Sequence, residues 1–460
     1  MSETQSFWAA LAWVDGRWQR EVRLSVGRDG CWQAIEIGAP DEGAQVLPGP
    51  VIPSLVDTHS HAFQRAFAGL AERREADEDD FWSWRDRMYG LALKLDPAQL
   101  RAIAAQLYLE LLKGGYTQVC EFHYLQHRSD GLPHVEDELA MSWALADAAA
   151  DAGLGLTMLP VLYAHAGFGQ PALRADQRRF AADAAWVDAA RRRINAAGRP
   201  LLNAGVALHS LRAAHREDIA ALQRLVGDAD IPLHIHIAEQ QQEVRDCLAA
   251  TGRRPIAWLC EEARPDARWH LVHATHALPA EIEQVAAAGA SVVICPGTEA
   301  NLGDGLADLP GWLAAGVPLS IGSDSQVTRA WGEELRWLEY GQRLGLQRRN
   351  VAAAPPGQPA TAARLFEALR AGGAAPAGLR HWGLQRGARA DFLVLERGAS
   401  GLAGLPDERL LDGLVFAVQG QALREVFVAG RPVLSQGRHA QEARIAGQFE
   451  AVMHQLWSAG

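Results

Sequence analysis

The chain has 460 residues, enough for a large barrel with a smaller satellite domain. Its 44 Lys and Arg against 55 Asp and Glu leave a formal charge of −11, spread along the sequence, which argues against nucleic acid or an anionic membrane as partner. Five scattered cysteines (Cys31, Cys120, Cys247, Cys260 and Cys295) form no CxxC pair and read as reduced thiols of a cytoplasmic protein, not as a disulfide framework or a thiolate zinc site. The N-terminus lacks the basic start and unbroken apolar core of a signal peptide, and no uncharged apolar run reaches the roughly 18 residues of a membrane span.

In chain order, the first 50 residues alternate polar and apolar side chains between glycine turns ("REVRLSVGRDGCWQAIEIG"), the pattern of short antiparallel strands. From residue 51 the texture changes to short apolar runs ending in polar residues, separated by Ala- and Leu-rich helical stretches, as in successive βα units. Eight such runs follow: "PSLVDTHSH", "YTQVCEFHY", "GLTMLPVLYAH", "NAGVALHS", "LHIHIAE", "WHLVHATH", "SVVICPGTE" and "PLSIGSDS". Eight parallel strands with helices between them close into a (β/α)8 TIM-like barrel, whose C-terminal strand ends converge on one face. An open doubly wound sheet would not gather eight strand ends at one point. "AAAPPGQPATAARL" reads as a loop into a late helix, and from residue 384 the strand-like texture returns in "ARADFLVLE" and "LREVFVAGRPVL". The expected division is 1–50, 51–383 for the barrel, and 384–460, the last ending in a helix.

The strand ends carry the chemistry. His59 and His61 stand two apart on the first strand, and side chains alternate with period two, so both face the same side. The fifth strand adds His236 and Glu239, the sixth His273, and the eighth Asp324. Three imidazoles and a carboxylate suit zinc or iron(II) with a position left open for water. Asp57, which opens the H-x-H segment, has no assigned role.

The order H-x-H, H-x-x-E, His, then S-D on successive strands resembles the amidohydrolase superfamily over essentially the whole chain. The resemblance implies a metal-bearing barrel plus a small β-sandwich domain built from both chain ends, and a homodimer. Some members bridge two metals with a carboxylated lysine on the fourth strand. Here Lys94 and Lys113 are the only lysines, so a site for one divalent metal, Zn2+ or Fe2+, is expected on His59, His61, His236 and Asp324. The "HIAE" glutamate marks the deaminase-like branch. Within it, "SLVDTHSHAFQRAFAGLAER", "FWSWRDRMY", "CEFHYLQH", "ALHSLRA" and "TEANLGDG" imply hydrolysis of the formimino group of N-formimino-L-glutamate to formyl, with release of ammonia.

Hydrolysing a C=N bond needs activated water, an acceptor for its proton, and a donor for the departing nitrogen. The metal would lower the pKa of water. Asp324 or His273 would take the proton, His273 would also stabilise developing charge, and Glu239 would protonate nitrogen. A diacid substrate needs two carboxylate partners, for which the arginine fork is best suited. Arg212, past His209 on the fourth strand's loop, and Arg85, on the long loop after strand one, fit this need, and the resemblance adds Gln64, Tyr124 and His209 as substrate contacts. Trp82 and Trp84 are expected to pack a lid, and Glu299 and Asn301 to lie at the rim. Two alternatives stand beside this reading: a related deaminase of a nucleobase, nucleoside or formimino-aspartate, and an inactive barrel kept as a scaffold.

Overall fold

All eight apolar runs are strands of a single closed sheet in the computed structural model, which describes residues 5–74 and 80–458. The first barrel strand is Leu55–Ser60, the second Tyr116–His123 and the third Gly155–Leu162. The fourth is split at Gly205 into Leu202–Ala204 and Val206–Leu208. Leu233–Ile237, Trp269–His273, Ser291–Ile294 and Leu319–Ile321 are the fifth to eighth. Every neighbouring pair is parallel, and Ile321 opposite Asp57 closes the ring. These strands are buried on both faces, which is why they read as continuous apolar runs instead of alternating ones.

The helices between the strands follow local rules. Pro97–Lys113 begins at Asp96, whose carboxylate accepts from Gln99 N (2.8 Å) while Gln99 Oε1 accepts from Asp96 N (3.1 Å). Pro97 occupies the first turn, where its missing N–H is no loss, and Leu100, Ile103, Leu107 and Leu111 form the stripe buried on the barrel. The C-terminal helix Glu442–Trp457 packs on this one, with Lys113 paired to Glu442.

Both chain ends build a second sheet, which fits the expected small sandwich. Its order is 431–435, 423–428, 392–395, 51–53, 5–14, 17–26 and 32–37, with 45–46 beside 5–14. Its own core centres on Phe7, Trp32, Phe392 and Phe427, the last two stacked at 4.3 Å between centroids. Val51–Pro53 lies in this sheet, and two residues later the first barrel strand begins.

One close approach fixes the barrel at its ligand-bearing seam. A Cβ on Gly322 would stand 2.6 Å from His59 Cβ and 2.7 Å from His59 O, so only glycine lets the eighth strand end lie against the first. Gly322→Ala is therefore expected to destabilise the protein by about 1–3 kcal/mol. The check is a lower urea midpoint at unchanged slope; an unchanged midpoint contradicts the packing described.

Candidate active site

His59 sits on the barrel floor, fully buried. Its Nε2 lies 3.0 Å from His236 Nε2 and 3.4 Å from Asp324 Oδ1, which is also 3.4 Å from His61 Nε2. The far nitrogens set the rings: His61 Nδ1 donates to Phe122 O and His236 Nδ1 to His209 O, each at 2.9 Å. Those bonds put the protons on Nδ1 and aim both Nε2 lone pairs inward. Burial lowers His59 to about 3 and also depresses His61 and His236, which keeps the imidazoles neutral. A single proton relieves one of these crowded contacts, whereas a divalent cation satisfies all four donor groups, so the residues fit a metal.

Buried carboxylates hold the strand ends in place. Asp57 accepts from Ser323 N (2.9 Å), Ser323 Oγ (2.5 Å) and His59 N (3.4 Å), tying the first strand to the Ser323–Asp324 turn. Burial raises Asp57 to about 7 against those hydrogen bonds. Glu121 accepts from Ser60 Oγ (2.9 Å) and Ala62 N (2.6 Å), bracing the segment on both sides of His61. Glu243 accepts from Glu239 N (3.1 Å) and Ala238 N (3.3 Å), fixing the end of the fifth strand. Ala238, His273 and Asp324 all adopt positive φ (50°, 70° and 49°), strain of order 1–3 kcal/mol each that these braces must hold.

Beside the donor cluster, His273 Nε2 stands 3.7 Å from Glu239 Oε1 and 3.8 Å from Asp324 Oδ2, and its Nδ1 is 3.3 Å from Glu299 Oε1. Burial alone would lower His273, but the Glu239 carboxylate, the Glu299 hydrogen bond and Asp324 raise it. Burial raises Glu239 to about 7, opposed by His273 and Arg212.

His61, Gln64, Arg85, Tyr124, His209, Arg212, His236, Glu239, His273 and Asp324 line one cleft above His59, about 470 Å³ including its open mouth. Phe81, Trp84, Met88, Tyr89 and Thr298 line it too, although sequence reasoning assigned none of them a contact beyond a lid role for Trp84. Arg85 is not on a loop: Phe81–Ala92 is a helix, started by Asp80, whose carboxylate accepts from Trp82 N and Ser83 N at 3.0 Å each. The expected lid segment also includes residues 75–79, which lie outside the described residues. Trp82 packs against both guanidinium groups, 4.5 Å from Arg85 Cζ and 5.3 Å from Arg212 Cζ. The Nε of each arginine is buried without a hydrogen-bond partner among the described residues, and Arg212 Nη2 lies 4.0 Å from Glu239. Gln64 Nε2 donates to Tyr124 Oη (3.2 Å), Gln64 Oε1 has no hydrogen-bond partner among the described residues, and the His209 ring packs on Tyr163 at 4.4 Å. Glu299 lies behind His273, not at the rim, while Asn301 is exposed and donates to Glu72 (2.9 Å) outside the cleft.

The sequence profile of the Amidohydrolase family matches residues 51–433. A curated formimidoylglutamate deiminase of Pseudomonas aeruginosa is 46% identical over 98% of this chain and 99% of its own. The crystal structure of an amidohydrolase from Brucella melitensis superposes with a TM-score of 0.92 at 40% identity, over 98% of this chain and 99% of that one. A 5-methylthioadenosine/S-adenosylhomocysteine deaminase of Natronomonas pharaonis is 28% identical, covering 84% of this chain and 81% of its own.

Removing the Asp57 carboxylate frees Ser323 and the Asp324 turn. Asp57→Ala is expected to weaken divalent-metal affinity about 10–100-fold. Metal retained after equilibration against a graded chelator series reads this; an affinity equal to wild type contradicts the bracing role.

Proposed function

Because the chain belongs to the amidohydrolase family, we propose that it is a metal-dependent hydrolase that converts N-formimino-L-glutamate and water to N-formyl-L-glutamate and ammonia, a step of histidine degradation. The relative at 46% identity, matched nearly end to end, supports this substrate. The observation that carries it at the site is the pair of largely buried side chains Arg85 and Arg212, each with a buried Nε that has no hydrogen-bond partner among the described residues, facing one cleft with the donor cluster. No carboxylate among the described residues lies closer than 3.7 Å to either guanidinium, which leaves the forks for the two carboxylates that the glutamate part of the substrate carries.

His59, His61, His236 and Asp324 would hold one divalent metal, zinc in this reading, with iron(II) as the alternative on the same donors. Bound there, it would lower the pKa of water and make hydroxide available near neutrality. Arg212 and Arg85 clamp the substrate carboxylates. Gln64, Tyr124 and His209 fix the chain so that the formimino carbon meets the incoming oxygen. His273, steered through Nδ1 by Glu299, faces the developing charge on that carbon's substituents, and Asp324 or His273 accepts the water proton. Glu239, with its carboxyl raised to about 7 by burial, both holds and releases a proton near neutrality, and delivers it to the nitrogen as the C–N bond breaks. The helix Phe81–Ala92 and its aromatic side chains keep bulk water off the cleft.

The same reading makes the protein a cytoplasmic homodimer with a small diacid as its partner, rather than nucleic acid or membrane. Five free thiols agree with a reducing compartment, and Trp337, Tyr340 and Leu344 give the helix Trp331–Leu346 an exposed apolar stripe suited to a subunit contact.

Ammonia release from N-formimino-L-glutamate, with formation of N-formylglutamate, is the expected outcome; release from a nucleoside or nucleobase but not from this compound contradicts the reading. Arg212→Ala is expected to lower kcat/KM about 100-fold or more while leaving bound metal unchanged, a loss of about 2.7 kcal/mol. A change smaller than about threefold would show that no carboxylate is held there.

A further inference from the structure

The loop after the seventh strand carries a buried carboxyl that the chemistry above leaves unused. Asp304 lies between the exposed Gly303 and Gly305 yet is only 5% exposed itself. Gln240 Nε2 donates to its Oδ1, and its own N–H donates to Glu299 O at 3.0 Å. Its Oδ2 is buried with no hydrogen-bond partner among the described residues. Asp304, Glu239 and His273 each offer a ligand atom within 4.8 Å of the others, a gap that one water bridges. Asp304 is not among the residues lining the substrate cleft, and its chain neighbours Gly303 and Gly305 are exposed.

Proton balance gives this carboxyl a task. An amidine is a stronger base than an amine, so the formimino group arrives at neutral pH as a cation, RNH–CH=NH2+. The water oxygen bonds to carbon, the C–N bond breaks with its electron pair going to nitrogen, and nitrogen leaves as neutral ammonia. The sum is RNH–CH=NH2+ + H2O → RNH–CHO + NH3 + H+. Where ammonia departs neutral, one proton per turnover is left on the protein, to be shed before the next cycle.

We propose that Asp304 is the relay that takes this surplus proton from Glu239, on Oδ2, and passes it to solvent across the Gly303–Gly305 bend. Gln240 holds Oδ1 and so leaves Oδ2 toward Glu239. The charged and titratable groups facing it are Glu239, Glu299 and His273, with His276 hydrogen-bonded to its backbone. Burial first, then the Glu239 and Glu299 charges, raise Asp304 to about 9, so it rests protonated on Oδ2 at neutral pH; it first gives that proton up to solvent, and the emptied Oδ2 then takes the next one from Glu239. Asp304 acts through Glu239 and is thus a positioning residue for the proton, not a group that touches substrate. The relay rests on the formimino reading, since only an amidinium substrate leaves the surplus.

The test is the zinc-loaded Asp304→Asn enzyme beside wild type, with N-formimino-L-glutamate as substrate and imidazole buffer varied at constant pH and ionic strength. Asparagine keeps an oxygen for Gln240 and the shape of the loop, but carries no proton. The expected result is a kcat lowered about tenfold or more, a KM within about twofold of wild type, unchanged zinc content, and a rate that climbs back with imidazole concentration while wild type does not respond. Asp304→Glu is expected to recover part of the rate without imidazole. A kcat within about twofold of wild type, or a lowered kcat indifferent to imidazole, overturns the relay alone. Failure of wild type to release ammonia from this substrate overturns the substrate reading, and the relay with it.

Discussion

The active site depends on a buried carboxylate that binds no metal in this account. Asp57 gathers the N–H of His59, the N–H of Ser323 and the hydroxyl of Ser323 on one side chain. That junction holds the first and eighth strand ends together where the barrel closes. Three features follow from it. His59 and Asp324 come within 3.4 Å of each other, Asp324 stays in a positive-φ conformation, and residue 322 must be glycine. Buried neutral imidazoles are inexpensive only while each nitrogen has a use. The backbone carbonyls of Phe122 and His209 take the outer nitrogens of two of the rings, and the inner ones converge where the proposed cation would sit.

A second constraint acts across the cleft. Arg85 and Arg212 are held by stacking on Trp82 rather than by carboxylate partners at bonding distance, with Asp86 3.7 Å from Arg85 and Glu239 4.0 Å from Arg212. Ring faces orient guanidinium groups without using up their donors. In the proposed function those donors meet a ligand with two carboxylates, a requirement that a nucleoside does not meet.

Much of this was legible in the amino-acid order, for a physical reason. Side chains two apart on a strand share a face and the strand ends of a barrel share a rim, so eight apolar runs were enough to bring H-x-H, H-x-x-E, the sixth-strand histidine and S-D together, and the resemblance to a known family then sorted ligands from the rest. The braces were less legible. Asp57, Glu121 and Glu243 act through contacts to residues brought near by barrel closure or helix return, and a carboxylate that accepts backbone N–H bonds leaves no pattern in the chain. Arg85 was read as a loop residue because "DFWSWRDRMY" has little apolar periodicity; its helix is instead nucleated by the Asp80 cap and held by aromatic packing. Glu299 illustrates the same limit, since its seven-residue helix turns it inward behind His273.

In the function proposed here, the ends of strands one, five and eight deliver three imidazoles and one carboxylate to a single cation. X-ray absorption on the metal-loaded protein, combined with metal counting, tests this most directly. One transition-metal ion per chain is expected in a nitrogen- and oxygen-only shell with the signature of histidine ligands, with loss of both metal and signature in His59→Ala. Two metals per chain, a sulfur neighbour, or an unchanged shell in that variant would contradict it.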